Sequence, residues 1–395
     1  MGVAEGRAVV KFGGADLSTG EKIRKAAEMV AKSGYREKVV VVSAMGETTN
    51  SLVNVLSSMG GVSDREYADI VSMGERTSAR IFCSALRAQG AKAIYVDPDM
   101  DEWPIITDSH YRDAKPDIEE TCARVKRHLE PMLGETIPVV CGFLGRDRSG
   151  NISTLGRGGS DTTALILANC LNAEEAVLVK ETQGVMSADP NVVPNAKPLR
   201  NLDIHEMFAL AHGGAKIVKA EALKYKLPNQ SLRVVSFSNG LGSDGTEISG
   251  VFNFNSFEIK ERRGLLAASL VCEINSRSMG VLFSTLGERP IHGISSGAGS
   301  ITVFTSSEDA AGLLNNLHGS GVFKAVSCRN NVSMIELTHP VFIDSPGWVA
   351  KVTGALASEE INIIEITTSK ASINIFVDES RLDEAIKAVR DNLET

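Results

Sequence analysis

Short runs dominated by β-branched and other apolar residues recur through the first half of this chain, each divided from the next by a stretch with helical spacing. The runs are Ala8–Phe12, Val39–Val42, Ala93–Val96, Ile137–Cys141, Ala176–Val179 and Leu232–Phe237. A run that stays apolar instead of alternating belongs to a strand buried on both faces, and strands separated by helices pair in parallel. This rhythm therefore predicts an α/β domain built on a largely parallel sheet. Between the first two runs, Ser18 and Glu21 form a capping-box pattern, and Ile23, Ala26, Ala27 and Val30 recur at helical spacing.

The character of the chain changes after Phe237. Ser238–Gly264 holds several glycines, an F-N-F-N-S-F stretch and a charged E-R-R, which reads as a terminal hairpin plus linker. Two shorter β/α units follow, Leu265–Cys328 and Val332–Leu393. The second runs strand, D-S-P-G turn, helix, strand, strand, helix, and the first repeats that order in degenerate form. A length of 395 residues accommodates two or three domains, and 43% apolar with 23% charged residues excludes a disordered chain. The net charge of −8, with no basic concentration, argues against nucleic acid as a partner. Cys83, Cys122, Cys141, Cys170, Cys272 and Cys328 are scattered, so buried thiols are expected, with neither a zinc site nor a disulfide framework. No apolar run reaches the roughly 18 residues of a membrane span, and Met1–Arg7 lacks a signal-peptide core. The expectation is a soluble cytoplasmic protein with no membrane partner.

Three glycine-associated cations bear on function. Lys11 ends a strand and is followed by Gly13-Gly14, where backbone N–H groups and an ammonium can meet an anion; a plain strand-to-loop turn would read the same way. Thr154-Leu155-Gly156-Arg157-Gly158-Gly159-Ser160-Asp161-Thr162-Thr163-Ala164 leads into the apolar Leu165–Ala168, a glycine-rich loop opening a helix whose first N–H groups are free. Ser160 or Asp161 as N-cap accounts for those two residues but leaves Arg157, a cation beside a positive helix end, without a partner. Gly213-Gly214-Ala215-Lys216 precedes the amphipathic Ile217–Leu223 and sets Lys216 in a first helical turn in the same way. Together the three converge on phosphate or carboxylate recognition. Ser43–Asn50 adds hydroxyls that cap a helix or touch a substrate, and Met73-Gly74-Glu75-Arg76 adds a carboxylate in a helical context. Walker A, G-x-G-x-x-G and protein-kinase loop patterns are absent.

Taken in order, K-F-G-G, S-A-M-G-E-T-T-N, G-E-R, G-F-L-G, T-L-G-R-G-G-S-D-T-T-A, G-V-M-S-A-D-P-N-V-V-P-N-A-K and G-G-A-K resemble the aspartate kinases, from Lys11 to Lys216. The two C-terminal units are similar to the tandem ACT domains of that family. The resemblance implies an amino-acid-kinase-like domain with a mainly parallel central sheet over residues 1–258, then two ferredoxin-like α+β (ACT) modules over 264–330 and 331–395. It implies phosphorylation of L-aspartate by ATP with Mg²⁺, yielding 4-phospho-L-aspartate. This would be the first step toward lysine, threonine and methionine. The acceptor is a carboxylate already ionised at neutral pH, with an ordinary pKa of about 3.9, so no general base is required. Joining two anions is the difficulty, and it calls for positioning and charge stabilisation.

By the same resemblance, Lys11, Asp161 and Lys216 are catalytic, with Gly13 and Gly14 binding phosphate. Thr49, Glu75, Phe143, Thr154, Arg157 and Ser160 fall at aspartate-binding positions. Lys180, Glu181, Gly184, Val185, Met186 and Asp189 fall in the nucleotide segment. Asp344, Pro346, Gly347, Asn362 and Ile363 mark an effector turn for lysine or threonine in a homodimer or higher homo-oligomer, and no resident metal site is implied. The chain departs from the usual pattern at Ala15 and Asp16, where the family reads T-S. It departs again at Met186 and Asn191, which replace an aromatic and an arginine, and at Ile217-Val218-Lys219, which replaces L-H-P. Another carboxylate kinase of the same fold and a catalytically weak amino-acid sensor are the competing expectations.

Overall fold

The computed structural model describes residues 6–215, 217–252, 256–369 and 371–393, and for residues 343 and 344 the backbone alone. The chain divides into two compact units, Met1–Phe252 and Asn253–Thr395. The first unit begins with β1 (Arg7–Phe12), α1 (Gly20–Lys32), β2 (Glu37–Val42), α2 (Thr48–Met59), α3 (Asp64–Ala88), β3 (Ala93–Val96), β4 (Ile106–Thr107) and α4 (Ile118–Arg124). It continues with β5 (Ile137–Cys141), β6 (Leu144–Asp147), β7 (Ile152–Thr154), α5 (Gly159–Cys170) and β8 (Glu175–Lys180). It closes with β9 (Asn201–Asp203), α6 (Ile204–His212), β10 (Ser231–Ser236) and β11 (Thr246–Ser249).

All six expected apolar runs are strands. They form one sheet in the order β3-β5-β2-β1-β8-β10-β11-β9, parallel from β3 through β10, with β11 antiparallel to β10. Val9, Val10, Val39–Val42 and Val177–Val179 are fully buried, as strands covered on both faces must be. Helix α5 is buried along almost its whole length, and its continuous Ala164–Ala168 stretch is apolar on every side, as a buried helix requires.

Local chemistry corrects several expectations. The N-cap of α1 is Thr19, whose hydroxyl accepts the Lys22 N–H at 3.2 Å, while the Ser18 hydroxyl turns back to the Ala15 carbonyl. A full capping box appears instead at α3, between Ser63 and Glu66. The helix expected over Ile217–Leu223 is a 3-10 helix over Ala220–Tyr225, with Pro228 close behind it limiting how far a helix can run. Cys122 and Cys170 form a disulfide joining α4 to the C-terminal end of α5, against the expectation of scattered thiols. Scattered in sequence, the two residues are brought to a Cα separation of 4.7 Å by the packing of the two helices.

The second unit contains β12 (Glu258–Val271), α7 (Ser276–Leu286), β13 (Ile291–Gly297), β14 (Ser300–Ser306), α8 (Ala310–Gly319) and β15 (Ala325–Thr338). After these come α9 (Val341–Asp344), α10 (Trp348–Ser358), β16 (Ile363–Ser369), β17 (Ser372–Asp378) and α11 (Leu382–Leu393). Its single sheet has the order β13-β14-β12-β15-β17-β16. The two 14-residue strands β12 and β15 run antiparallel, with register shifts between Arg262 and Ala267, and each serves both halves. Ala267–Val271 pair with Ala325–Arg329 beside β14, while Glu258–Arg262 pair with Met334–Thr338 beside β17. The stretch read as a linker therefore ends in a strand, and β15 runs through position 330/331. Each half keeps its own core, one around Leu266, Leu282 and Leu313, the other around Leu337, Val352 and Ile375.

Candidate active site

The Lys11–Gly14, Ser43–Asn50 and Thr154–Ser160 motifs meet at the carboxyl ends of β1, β2 and β5, the end of a parallel sheet where loops gather and ligands are held. There they line a cleft of about 590 Å³. A smaller pocket of about 220 Å³ lies at the amino ends, around Arg7, Glu174 and Glu175. Its Arg7 is already matched by Glu37 at 2.6 Å and Glu130 at 2.8 Å, so the chemistry belongs to the larger cleft.

At one side of the cleft lies a dry charge cluster. Lys11 Nζ is 2.8 Å from Asp161 Oδ1, and Lys180 Nζ is 3.3 Å from Asp161 Oδ2. The Lys219 N–H approaches the same Oδ2 at 3.4 Å. Burial alone would raise the Asp161 carboxyl, but the Lys11 and Lys180 charges outweigh it and hold it at about 2. Burial brings the Lys180 ammonium down to about 8 against the pull of Asp161. Asp161 owes its place to Gly158, the left-handed N-cap of α5 at φ 75°, where a Cβ would stand 2.8 Å from Lys219 Cβ.

The other cleft-lining residues come from helices α2, α3 and α5, from the end of β7 and from the loops beside them. Gly74 lets α3 press against the loop after β2, since a Cβ there would lie 2.8 Å from Ala44 Cβ. That approach brings Glu75 Oε1 to the Ala44 N–H at 3.1 Å, while Oε2 is buried with no partner among the described residues. Burial pushes the Glu75 carboxyl up to about 7. Thr49 lines the cleft from α2, Ser160 from α5, and Arg157 from the glycine loop. Arg157 is exposed and forms no ion pair among the described residues. Phe143 also lines the cleft with φ at 69°, rare for an aromatic, held by its N–H on Thr163 Oγ1 at 3.1 Å and its carbonyl accepting from Leu155. Thr154 lines the wall too, but its hydroxyl donates to the Arg112 carbonyl at 2.8 Å, a positioning contact.

Other expected residues are placed differently. Lys216 lies outside the described residues. Lys180 belongs to the Asp161 cluster, and Glu181 is exposed and paired with Lys22 at 2.7 Å. Gly184 and Val185 anchor their loop on Thr246, whose Oγ1 accepts the Val185 N–H at 2.8 Å. Met186 bridges to Pro198, and Asp189 caps its own turn by accepting the Asn191 N–H at 2.9 Å. In the second unit, Gly347 is the left-handed N-cap of α10 and Pro346 is exposed before it. Asn362 is exposed and Ile363 opens β16, while the Asp344 side chain is outside the described residues. An unforeseen aromatic group packs there, with Phe257 at 4.3 Å from His339, 5.7 Å from Phe342 and 5.3 Å from Trp348. The Lys180 placement did have a signal. V-V-K-F closes β1 and V-L-V-K closes β8, two lysines near the same end of paired strands.

The parts of this chain recur together in known proteins. The model of the amino acid kinase family matches residues 6–236, and that of an ACT domain matches residues 327–391. Aspartokinase of Corynebacterium glutamicum is 30% identical, covering 98% of this chain and 96% of its own. The chain belongs to the aspartokinase family. Among solved structures, the aspartate kinase from Synechocystis matches with TM-score 0.69 at 25% identity, over 98% of this chain and 70% of its own. E. coli aspartokinase III in complex with aspartate and ADP (R-state) matches with TM-score 0.58 at 22% identity, over 98% of this chain and all of its own. The same enzyme with lysine and aspartate (T-state) gives 0.56 at 22% identity, over 98% and 99%. At that identity the E. coli likeness shows the fold. As an aspartokinase, this chain is an enzyme, a phosphotransferase.

Proposed function

We propose that the chain transfers the γ-phosphoryl group of ATP to the side-chain carboxylate of L-aspartate, giving 4-phospho-L-aspartate and ADP. The observation that carries this is the pairing within one cleft of a dry lysine–aspartate–lysine cluster with an exposed Arg157 and a buried, half-satisfied Glu75. Lys11, with the Gly14 amide of the Gly13-Gly14 turn, takes the phosphates, and Asp161 keeps Lys11 and Lys180 aimed. Arg157 grips the substrate α-carboxylate through its planar fork, and Glu75 receives the α-ammonium on its bare oxygen. The aspartate side chain attacks unassisted because it is already ionised, so every other contribution is positional or electrostatic. Mg²⁺ arriving with the nucleotide would neutralise phosphate charge. The orphaned carboxylate oxygen of Asp16 beside the glycine turn fits such a cation.

The second unit binds a free amino acid, lysine or threonine, at the turn before α10, and that binding sets the activity of the kinase in a homodimer or larger homo-oligomer. The D-S-P-G turn supports this, and so does the lysine-bound state of E. coli aspartokinase III. The reaction then opens the route from aspartate to lysine, threonine and methionine.

ADP release with Mg-ATP and, separately, aspartate, glutamate and N-acetylglutamate tests the catalytic reading. Turnover with aspartate alone is expected. Turnover with another acid overturns the acceptor, and none at all points to a sensor. Lysine or threonine should then lower the rate and raise the melting temperature. If both leave rate and melting unchanged, the effector reading falls.

A further inference from the structure

One carboxylate in the phosphate-binding turn is not used by the aspartate and lysine contacts above. Asp16 lies in the 3-10 turn Ala15–Leu17 directly after Gly13-Gly14 and is 1% exposed. Its Oδ2 accepts the Gly13 N–H at 3.1 Å, whereas its Oδ1 is buried with no hydrogen-bond partner among the described residues. No lysine among the described residues forms an ion pair with it, since Lys11 and Lys180 both reach to Asp161. The carboxylate nonetheless sits on the lysine side of the turn. Asp16 Oδ2 and Lys11 Nζ stand 3.2 and 3.9 Å from the point a Cβ on Gly13 would occupy.

Burial pushes the Asp16 carboxyl up to about 6; the Gly13 N–H, Lys11 and Lys180 favour its charge, and Glu181 opposes it. One of its two oxygens is thus both dry and bare. Leaving such an oxygen unsatisfied is costly, and no hydrogen bond among the described residues offsets it. A bare carboxylate has the wrong charge for a phosphate and the right charge for the cation that travels with one. Magnesium is commonly held by one or two carboxylates together with substrate phosphates, not by a dedicated cage. Among the described residues no group of three or more His, Cys, Asp or Glu forms such a cage.

We propose that Asp16 is a direct ligand of the divalent cation bound with the nucleotide, a carboxylate where the family usually carries serine. This rests on the nucleotide reading of the cleft. The test uses the full chain and Mn²⁺, with free Mn²⁺ read by electron paramagnetic resonance in the presence of ADP, and metal-free ADP binding read by calorimetry. Asp16→Asn and Asp16→Ser should each weaken Mn²⁺ binding to the ADP complex by at least about tenfold, the loss that even outer-shell partners of a metal cause. Metal-free ADP should bind as well or more tightly, since a negative charge has left its neighbourhood. Unchanged Mn²⁺ affinity in both variants overturns the proposal. Equal weakening with and without metal also overturns it, because that marks a structural role. If the unaltered chain binds ADP in neither form, the nucleotide reading falls and this one with it.

Discussion

Lys11 and Lys180 share Asp161 in a dry corner, so the trio carries surplus positive charge that an arriving polyphosphate relieves. In the proposed reaction Arg157, which lines the same cleft, takes the complementary task at the acceptor end. Arg157→Ala should raise the KM for aspartate roughly tenfold or more while shifting that for ATP little, the loss expected of a charged hydrogen-bonding pair. Steady-state kinetics checks this, and equal losses for both substrates would contradict the assignment. Glu75 makes a prediction with a sign. Its ammonium-binding form is the carboxylate, so aspartate affinity should rise as pH climbs through about 7, and Glu75→Gln should bind weakly with that rise gone. Stability runs the other way. Burial raises this carboxyl from its ordinary 4.5 to about 7, so the folded chain loses stability as pH rises between those values. Glu75→Gln should therefore raise the melting temperature most above pH 7, and a constant gain across the range would contradict the account. The cations Lys11 and Arg157 were legible in the sequence because glycines flank them. The inward turn of Glu75 was not, since it depends on how closely Gly74 lets α3 approach Ala44.

At the scale of elements, α5 carries Asp161 and Ser160 on its first turn and depends on Gly158 for its entry. Gly158→Ala faces both a positive φ and the side chain of Lys219, at a cost of about 1–3 kcal/mol. A lower melting temperature together with a lower kcat is expected, and a variant unchanged in both would contradict the role given to that loop. The far end of α5 is tied to α4 through Cys170 and Cys122. Alkylation of the denatured, unreduced chain should label four cysteines, rising to six after reduction. Labelling of all six without reductant would remove the bond. The strand pattern was readable because runs apolar on both faces leave few alternatives. The disulfide was not, because it depends on tertiary packing that no local spacing encodes, whereas the shortness of the 3-10 helix over Ala220–Tyr225 had a local signal in Pro228.

Across the whole molecule, two kinds of architecture follow one another. The first unit is a mainly parallel sheet with its chemistry at one end, and the second is a doubled α+β module. The repeat was visible in the order of its segments. Its boundary was not, since β12 and β15 each contribute to both halves and a shared strand leaves no break in composition. The central claim remains that the cleft of the first unit makes an acyl phosphate. Trapping that product with hydroxylamine, in the presence of Mg-ATP and aspartate, tests it most directly. The unaltered chain should give hydroxamate from aspartate and not from glutamate or N-acetylglutamate, and Lys11→Ala should reduce the rate by roughly a hundredfold or more. Folded protein that yields no hydroxamate from aspartate, or a Lys11→Ala variant as active as the original, would contradict the account.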